Sequence, residues 1–450
     1  MRVSYDWLKT MIDIPEDPKT LSDEYIRTGT EVEAIDTVGE SFDHVVTAKV
    51  LTKTPHPDSD HMYVCSVDVG DKNLDADGNP APLQIVCGAQ NFEAGDHIVT
   101  AMIGAVLPGD VKIKKSKLRG VVSMGMNCSA RELGLGGDHS GIMILPEDTP
   151  CGMPFAEYVG SSDTVLDCEI TPNRPDCLSM IGMARETGAI FDRDFHVELP
   201  AIKVETGRAT DDELSVEIAD EGLCDRYVAR IVRNVNTQAK TPAWMVERLA
   251  RCGQRSVAPL VDISNYVMFE LGRPSHIFDL DKIHGGLDVR WGRAGEQLKL
   301  LNGTTVTVDA QVGVIADDQA IESLAGIMGG DATAVSDDTK NIYVEAAFWW
   351  PRAIAGRSRR FNFSTDAGHR FERGVDPSYT PEHIERITEL VLEICGTPET
   401  QCGAIDDQQV NLPQPQPVQL RVARAAKVIG MPVSQQQCAD ALQGRSEEHT

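Results

Sequence analysis

Residues 40–151 contain short runs in which apolar and polar residues alternate, and no other feature of the sequence restricts the fold as much. Clusters of Gly, Pro, Asn and Asp separate these runs. Alternation is the pattern of a strand with one buried face, and frequent turn residues keep each strand short. The region is therefore predicted to be a small β-barrel. Its predicted strands cover residues 45–51, 63–69, 84–87 and 97–101.

Helical sequence flanks this region on both sides. Ser4 is expected to cap a first helix, and a second helix is expected over residues 21–28. Helical sequence returns around residues 178–187. The barrel is thus predicted to be an insertion in a small α/β domain formed by residues 1–38 and 152–200, within a multidomain α+β fold.

A larger α/β region is predicted over residues 205–400. Thr241 is expected to be the N-cap of a helix with Pro242 at its first position. A longer helix is expected over residues 381–395. Strands are predicted at residues 227–232, 287–291, 312–316 and 342–346.

The chain changes character again at residues 411–417, which are rich in Pro and Gln and predict a linker. Two short helices are expected after it, over residues 422–430 and 434–442.

The formal net charge of −27 excludes a protein coated with basic residues, because neutralising phosphate requires Lys and Arg. Any nucleic-acid contact must therefore come from a local basic patch. The 11 cysteines form no CxxC pair, which argues against a zinc site or a disulfide framework and favours a reducing cytoplasm. No apolar run is long enough to cross a membrane, so no membrane partner is expected.

Five phrases inside the predicted barrel occur together and in order. They resemble the OB-fold tRNA-binding module that the beta subunit of bacterial phenylalanyl-tRNA synthetase shares with several free-standing tRNA chaperones. This chain departs from that pattern at Ser59 and at His61-Met62, which removes one expected positive charge. The phrases are HPDSD at 56–60, YVCSVDVG at 63–70, QIVCGAQN at 84–91, KLRGVVSMGM at 117–126 and RELGL at 131–135.

A basic cluster lies within this region beside a Gly-rich turn. Such a cluster suits a groove that follows a phosphate backbone. The alternative is a solvated hairpin edge, where lysines prevent strand pairing. Composition alone favours that alternative, and the ordered phrases favour tRNA binding. The predicted tRNA-binding residues are Lys112, Lys114, Lys115, Lys117 and Arg119.

Further phrases follow in the larger α/β region and are similar to the B3/B4 editing module of the same beta subunit. The order of modules also matches that family across most of the chain. Residues 39–151 would be the OB-fold domain, 1–38 and 152–200 a B1-like domain, and 205–400 the editing domain. The phrases are DISNYV at 262–267, LGRPSHIFD at 271–279, AGIMGG at 325–330, VEAAF at 344–348 and STDAGHRFERGVDP at 364–377.

The resemblance implies a subunit of an α2β2 phenylalanine–tRNA ligase that binds tRNA(Phe) and proofreads Tyr-tRNA(Phe) by hydrolysis. The alpha subunit would carry aminoacylation with ATP, phenylalanine and Mg²⁺. No Gly-rich nucleotide motif or aminoacylation signature is found in this sequence. This chain is therefore expected to hold no metal or nucleotide site and to act alone at most as an editing deacylase.

The resemblance also assigns roles in the editing reaction. Glu345 would recognise the tyrosine hydroxyl as a charged acceptor, and His276 would contact the tRNA end, position the ester or water, or accept a proton. Without the resemblance, Glu345 is as readily a solvent-facing strand residue. No catalytic triad is proposed, because a positioned water and the RNA hydroxyls can suffice. The predicted substrate-binding residues are Ser264, Asn265, Gly326, Gly329, Thr365 and Ala367.

The last part of the chain fits the pattern only partly. Residues 411–444 resemble an incomplete B5 module, whose acidic magnesium ligands would lie further on. Residues 445–450 fit no expected continuation and are interpreted as a non-native tail, with a divergent exposed tail as the alternative. A non-catalytic tRNA-binding or assembly protein remains the alternative function.

Overall fold

The computed structural model describes residues 1–38, 42–135, 140–159, 163–195, 206–220, 222–414 and 416–443. The chain divides into two compact units. One consists of Met1–Asp36 and Thr164–Thr450, and the other of Thr37–Asp163. The mixed α+β organisation predicted from the sequence is confirmed, while the predicted tail at residues 445–450 lies outside the described residues.

Strands and helices alternate unevenly along the chain. The strands are β1 (Arg2–Ser4), β2 (Glu31–Val38), β3 (Val45–Pro55), β4 (Tyr63–Asp68), β5 (Leu83–Cys87), β6 (His97–Met102), β7 (Val106–Leu107), β8 (Val111–Lys112), β9 (Ser116–Leu118), β10 (Val121–Ser123), β11 (Gly125–Asn127), β12 (Ile144–Leu145), β13 (Asp163–Glu169), β14 (Val216–Ile218), β15 (Cys224–Arg233), β16 (His276–Asp279), β17 (Leu287–Trp291), β18 (Gln297–Lys299), β19 (Thr305–Thr307), β20 (Gly313–Ala316), β21 (Ile321–Leu324), β22 (Met328–Gly329), β23 (Asn341–Trp349), β24 (Gln401–Cys402) and β25 (Asp406–Gln409). The helices are α1 (Tyr5–Lys9), α2 (Pro18–Thr28), α3 (Phe155–Val159), α4 (Met180–Phe191), α5 (Thr210–Glu213), α6 (Ala243–Arg251), α7 (Pro259–Leu271), α8 (Pro351–Ile354), α9 (Arg357–Arg360), α10 (Asp366–Phe371), α11 (Thr380–Cys395), α12 (Val422–Ile429) and α13 (Gln435–Gln443).

The unit Thr37–Asp163 is built on one antiparallel sheet in the order β11-β6-β3-β4-β5, with β12 also paired to β6. The two ends of this sheet approach each other, since the Met124 N–H donates to the Gln84 carbonyl at 2.9 Å. A sheet that nearly closes in this way leaves few unpaired edges. Its interior holds Val50, Val67 and Ile98, all fully buried.

The other unit begins with a three-stranded sheet in the order β1-β13-β2. Ser4 caps α1, because its hydroxyl accepts a hydrogen bond from the Trp7 N–H at 3.0 Å. Helix α2 ends at Gly29, whose φ of 106° lies in the left-handed region that glycine adopts without steric cost. The Trp7 ring stacks on Tyr266 of α7 at 4.9 Å, which joins the N-terminal elements to the larger part of the unit.

Two sheets form the centre of this unit. One has the order β16-β23-β15-β24, with β25 also paired to β15, and the other has the order β14-β17-β20-β21-β22. Alternate residues of β23 enter different cores. Ile342, Val344 and Ala346 belong to the core that includes α7 and α11. Tyr343 and Ala347 belong to the core shared with the second sheet. Strand β23 is therefore buried on both faces, as in sheets covered on both sides.

The start of α6 differs from the sequence prediction. Pro242, not Thr241, is the residue that precedes the helix, and Ala243 is its first residue. The Thr241 hydroxyl instead donates to the Asp262 carboxylate on α7 at 2.5 Å. Thr241 was expected to cap the helix, and that prediction was wrong because a tertiary acceptor outcompetes the local backbone donors.

Residues 411–443 contain the two short helices predicted there, α12 and α13. Neither helix contains a buried residue. Val428 of α12 is 74% exposed. Apolar side chains at such exposure contribute little to stability in this structure.

We expect the buried ion pair between β15 and α11 to be essential for stability. Both Arg230 N–H groups donate to the Glu385 carboxylate, at 2.9 and 3.1 Å, and the Arg230 side chain is almost fully buried. Glu385→Ala leaves this charge without its carboxylate partner and should lower the free energy of unfolding by about 3–5 kcal/mol. Chemical denaturation followed by circular dichroism measures the change.

The exposed pair Lys299–Asp331 provides the matched control. Asp331→Ala removes a carboxylate from a solvated ion pair and should change the free energy of unfolding by about 0.5 kcal/mol or less. Equal effects of the two variants would contradict the importance of the buried pair.

Candidate functional site

Strands β16 and β23 bring His276 and Glu345 side by side. The two strands are antiparallel, and their register pairs His276 directly with Glu345. On its other side Glu345 faces Ala229 of β15. Directly opposed residues of neighbouring strands have Cβ atoms about 4.5–5.5 Å apart. The imidazole and the carboxyl therefore lie on the same face of the sheet, within reach of one ligand.

Glu345 is a carboxyl group in an apolar layer. The residue is 6% exposed, and its strand neighbours on that face belong to the core between the two sheets. Loss of solvation raises the pKa of Glu345 to about 8, while the Arg273 guanidinium acts in the opposite direction. Among the described residues none donates a hydrogen bond to this carboxyl group. At this pKa Glu345 is mostly protonated at pH 7 and can donate as well as accept a hydrogen bond, whereas the sequence-based expectation was a charged acceptor.

His276 is neutral for a related reason. Its Nε2 is buried and has no hydrogen-bond partner among the described residues. Burial lowers the pKa of His276 to about 4, because the imidazolium form would lose its solvation. The ring meets Phe278 edge to face at 4.3 Å. At neutral pH, His276 therefore offers a hydrogen-bonding nitrogen without a positive charge.

Two of the predicted glycines adjoin these groups. A Cβ atom on Gly329 would lie 2.2 Å from Cε1 of His276, so only glycine permits this approach. Gly326 has a φ of 66°, and a Cβ atom there would lie 2.8 Å from Cδ1 of Trp349. Both glycines allow the β21–β22 hairpin to pack directly on the face that carries Glu345.

Three hydroxyl groups hold the surrounding elements in place. Ser264 of α7 shares a hydrogen bond of 2.8 Å with Ser275, the neighbour of His276. Thr365 caps α10 by accepting from the Gly368 N–H, and its own hydroxyl donates to the Ile327 carbonyl at 3.1 Å. These bonds tie α7 to the start of β16 and α10 to the β21–β22 hairpin.

The other two predicted substrate-binding residues are connected less directly. Asn265 and Ala367 are half-buried, on α7 and α10. Asn265 directly follows Ser264, and Ala367 lies two residues after Thr365. Within the described part of the chain, the Asn265 amide makes no side-chain hydrogen bond.

Sequence reasoning missed three buried polar groups in this region. Tyr227 and Tyr343 are fully buried, and neither hydroxyl has a hydrogen-bond partner among the described residues. Arg273 is also fully buried, and it donates to the carbonyl groups of Ala347 and Asp376. Strand alternation could have placed Tyr343 on the same face as Glu345. The register between β15 and β23, which brings in Tyr227, could not be obtained from the sequence.

The barrel unit contains a separate candidate site, a cavity of about 890 Å³. Lys112, Lys114 and Arg131 line it, together with the edges of β5 and β11. Arg131 was not among the predicted tRNA-binding residues. Its position in the phrase RELGL was the only signal in the sequence.

The remaining predicted basic residues lie outside the lining of this cavity. Lys115 and Lys117 are exposed, and Lys117 belongs to the β9–β10 hairpin. Arg119 occupies the turn of that hairpin with a φ of 41° and donates to the Asp58 carbonyl at 3.0 Å. The predicted cluster is therefore divided between a cavity and a hairpin edge.

Across the described residues, no group of three or more His, Cys, Asp or Glu side chains is arranged to hold a metal ion. All 11 cysteines are free thiols. None of the helices in the described ranges combines the length and the apolar character needed to cross a membrane.

The raised pKa of Glu345 predicts a stability that depends on pH. The folded protein retains a proton on this group between about pH 4.5 and 8, whereas the unfolded chain releases it. The contribution of Glu345 to the free energy of unfolding should therefore fall in that window as pH rises, by up to about 1.4 kcal/mol for each pH unit. Glu345→Gln removes this contribution, so the variant should gain stability relative to the unmodified protein between pH 5.5 and 8.5.

Neighbouring groups do not obscure this measurement. His276 contributes with the opposite sign between about pH 4 and 6.5, because its pKa is about 4 in the folded protein, but this contribution is common to both proteins and cancels in their difference. Burial raises the pKa values of Cys224, Tyr227 and Tyr343 well above their usual ranges, so these groups do not titrate in the window. Denaturant titrations at several pH values give the difference between the two proteins. A difference that stays constant from pH 5.5 to 8.5 would show that Glu345 keeps an ordinary pKa.

Two family models match the chain. The B3/4 domain model matches residues 223–396, which include His276 and Glu345. The model of the putative tRNA-binding domain matches residues 45–154, which include the basic cavity. Both of these domains are therefore present.

Curated relatives match nearly the whole chain. It is 54% identical to the phenylalanine--tRNA ligase beta subunit of Cupriavidus pinatubonensis, over 98% of this chain and 54% of the relative. It is 54% identical to the protein of that name from Ralstonia nicotianae, over 98% and 53%. An N-terminal fragment of the phenylalanyl-tRNA synthetase beta subunit from Pyrococcus horikoshii aligns with 63% of this chain and 77% of that fragment, at 14% identity and a TM-score of 0.29, which is too low to support a shared fold.

The chain spans about half the length of the curated relatives it matches. Identity above half over almost every residue of this chain, together with the two matching domains, establishes the relationship. The chain belongs to the family of phenylalanine--tRNA ligase beta subunits.

Proposed function

We propose that this chain proofreads tRNA(Phe) by hydrolysing the ester of mischarged tyrosine. The observation that carries the proposal is the pairing of Glu345 with His276 on a buried sheet face, where Nε2 of His276 has no hydrogen-bond partner among the described residues. Buried polar groups without partners are rare in proteins, and a ligand commonly completes them. The B3/4 domain that contains both residues supports the same site.

A separate proofreading site is needed because tyrosine differs from phenylalanine by only one small hydroxyl group. A pocket built for phenylalanine cannot strongly reject tyrosine, which adds only one hydroxyl. A second site that binds this hydroxyl discriminates better, because phenylalanine would leave its buried polar groups unpaired. Glu345 is the side chain we assign to the tyrosine hydroxyl. In its protonated form it both donates and accepts a hydrogen bond.

We assign His276 a positioning role in hydrolysis. A general base works best when its pKa lies near the working pH, and the pKa of His276 is about 4. The neutral imidazole suits a hydrogen bond to the ester, the terminal ribose or the attacking water. Proton transfer then falls to water and to the hydroxyl groups of the RNA.

The remaining predicted residues would shape the site around the substrate. Gly326 and Gly329 let the ligand approach the backbone, while Ser264 and Thr365 fix α7 and α10 beside it. Thr365 and Ala367 would line the amino-acid end of the substrate, and Asn265 would be a further pocket residue that offers both a donor and an acceptor.

The barrel would bind the body of the tRNA. We interpret its nearly closed sheet as an OB fold, in which a basic groove follows the RNA backbone. We further propose residues 1–38 and 152–200 as a B1-like domain, 39–151 as the barrel domain, 205–400 as the editing domain and 411–444 as part of a B5 module.

The complete protein is proposed to act in the cytoplasm with an alpha subunit in an α2β2 ligase. That partner would perform aminoacylation with ATP and Mg²⁺. A non-catalytic tRNA-binding or assembly role is the second candidate, since the basic cavity by itself would support it. Hydrolysis of Tyr-tRNA distinguishes the two functions.

Substitution of the paired residues tests the editing function. Glu345→Ala should slow the hydrolysis of Tyr-tRNA(Phe), because a hydrogen bond to the substrate hydroxyl is lost. The ratio of the hydrolysis rate of Tyr-tRNA(Phe) to that of Phe-tRNA(Phe) should fall by roughly tenfold or more. His276→Ala should slow hydrolysis of both esters, because its contact is with the common tRNA end. Deacylation of pre-charged tRNA by the complete ligase measures both rates.

Ser323→Ala serves as the control, since that buried residue pairs with Gly329 and its hydroxyl donates to backbone carbonyls. It should leave the tyrosine preference unchanged. Unaltered rate and selectivity in Glu345→Ala would refute the assignment of the pocket.

The basic cavity yields a separate prediction about tRNA binding. Replacing Lys112, Lys114, Lys115 and Lys117 by Gln should weaken binding and flatten its dependence on salt, because each phosphate contact releases counterions. The slope of log K against log salt should change by about one for each contact that is lost. Filter binding at several salt concentrations measures it.

Two paired variants locate the contacts more closely. Lys112 and Lys114 line the cavity, whereas Lys115 and Lys117 do not. The first pair should therefore account for most of the change in slope. An unchanged slope in the fourfold variant would contradict tRNA binding at this surface.

A further inference from the structure

Three buried polar atoms without partners lie on one face of the β16–β23–β15 sheet. They are the hydroxyls of Tyr227 and Tyr343 and Nε2 of His276. The same face carries the Glu345 carboxyl. Sequence alternation on β23 puts Tyr343 two residues before Glu345, and the strand register puts Tyr227 opposite Ala347, two residues after it. The two tyrosines therefore flank Glu345 on neighbouring strands.

The residue opposite Glu345 leaves room for these side chains. Ala229 is the cross-strand partner of Glu345 on β15, and its methyl group covers little of the sheet. Tyrosine side chains are long enough to reach diagonal neighbours on adjacent strands. Burial raises the pKa values of Tyr227 and Tyr343 well above the ordinary range of a phenol, and the neighbouring Glu345 carboxylate raises both further, as expected for side chains that lie close together.

The two hydroxyls are near enough for each to shift the pKa of the other, but they do not reach the geometry of a hydrogen bond. Each lacks a partner with hydrogen-bond geometry among the described residues, although both side chains are fully buried. Two phenylalanines would fill the same apolar space without burying a polar atom. The two tyrosine hydroxyls and Nε2 of His276 thus lie without partners in an apolar environment. A ligand that carries a polar atom into this environment can supply the missing hydrogen bonds.

We propose that Tyr227 and Tyr343 determine specificity by binding, together with Glu345, the hydroxyl on the aromatic ring of the substrate. A phenolic hydroxyl has one donor hydrogen and two lone pairs. It can therefore bond to the neutral carboxyl and to both tyrosine hydroxyls at once. A substrate without this hydroxyl leaves all three groups unpaired. The inference rests on the proposed editing function and extends it to two residues outside the motifs.

The test compares Tyr227→Phe, Tyr343→Phe and the double variant in the complete ligase, by deacylation of pre-charged Tyr-tRNA(Phe) and Phe-tRNA(Phe). Each single change should lower the ratio of kcat/KM for the tyrosyl over the phenylalanyl ester by roughly fivefold to tenfold. Hydrolysis of the phenylalanyl ester should stay the same or increase. An equal loss for both esters would overturn the proposal, because it would indicate a structural role.

Thermal unfolding of the same variants provides a readout that does not depend on activity. Removing an unpaired buried hydroxyl should leave Tm unchanged or raise it. The matched control is Tyr266→Phe, because the Tyr266 hydroxyl bonds to Arg248 and Glu270 on the other side of the sheet. That variant should lower Tm and preserve the ester preference. A fall in Tm for Tyr227→Phe or Tyr343→Phe as large as that of the control would also overturn the proposal.

Glu345→Ala in the same assay separates this inference from the editing function. If Glu345→Ala abolishes the preference for tyrosine while both Tyr→Phe variants retain it, the site is correct and the role of the two tyrosines is refuted. If Glu345→Ala has no effect either, the editing site itself is refuted.

Discussion

The burial of β23 on both faces is the constraint on which the rest of the larger unit depends. One set of its alternating residues packs against α7 and α11, and the other packs against the second sheet. A strand in this position has no solvent-facing side. Any polar residue on this strand must therefore be paired within the protein, change its protonation state or be paired by a bound ligand. Glu345 lies at such a position, and the chemistry of the site follows from it.

Desolvation shifts the pKa values of Glu345 and His276 in opposite directions, and in both cases it favours the neutral form. It raises the pKa of an acid and lowers that of a base, so Glu345 and His276 are both neutral near pH 7. A neutral pair avoids the large cost of burying a charge. It also suits recognition by hydrogen bonds better than proton transfer. The two residues therefore resemble a pair that binds a ligand by hydrogen bonds more than an acid–base pair.

Charge is distributed differently in the two units. The arginines in the unit that carries His276 and Glu345 are largely used within the protein, as in the bonds from Arg273 to backbone carbonyls and from Arg230 to Glu385. The barrel lysines at 112 and 114 are exposed and line a cavity instead. In a chain with a net charge of −27, this local concentration of cations is a surface that can attract RNA.

The sequence by itself determined the elements and their order, because alternation and capping are local properties. Ser4, Gly29 and the runs over β3 to β6 show this. The phrases around His276 and Glu345 also identified the family. Only the tertiary structure decided which residues meet. The strand register pairs His276 with Glu345, and packing brings Tyr227 close to Tyr343. The Asp262 carboxylate accepts the hydrogen bond of Thr241, which therefore does not cap its helix. The pKa values likewise depend on burial, which arises when distant segments pack together and remove water from groups that the sequence alone leaves in solvent.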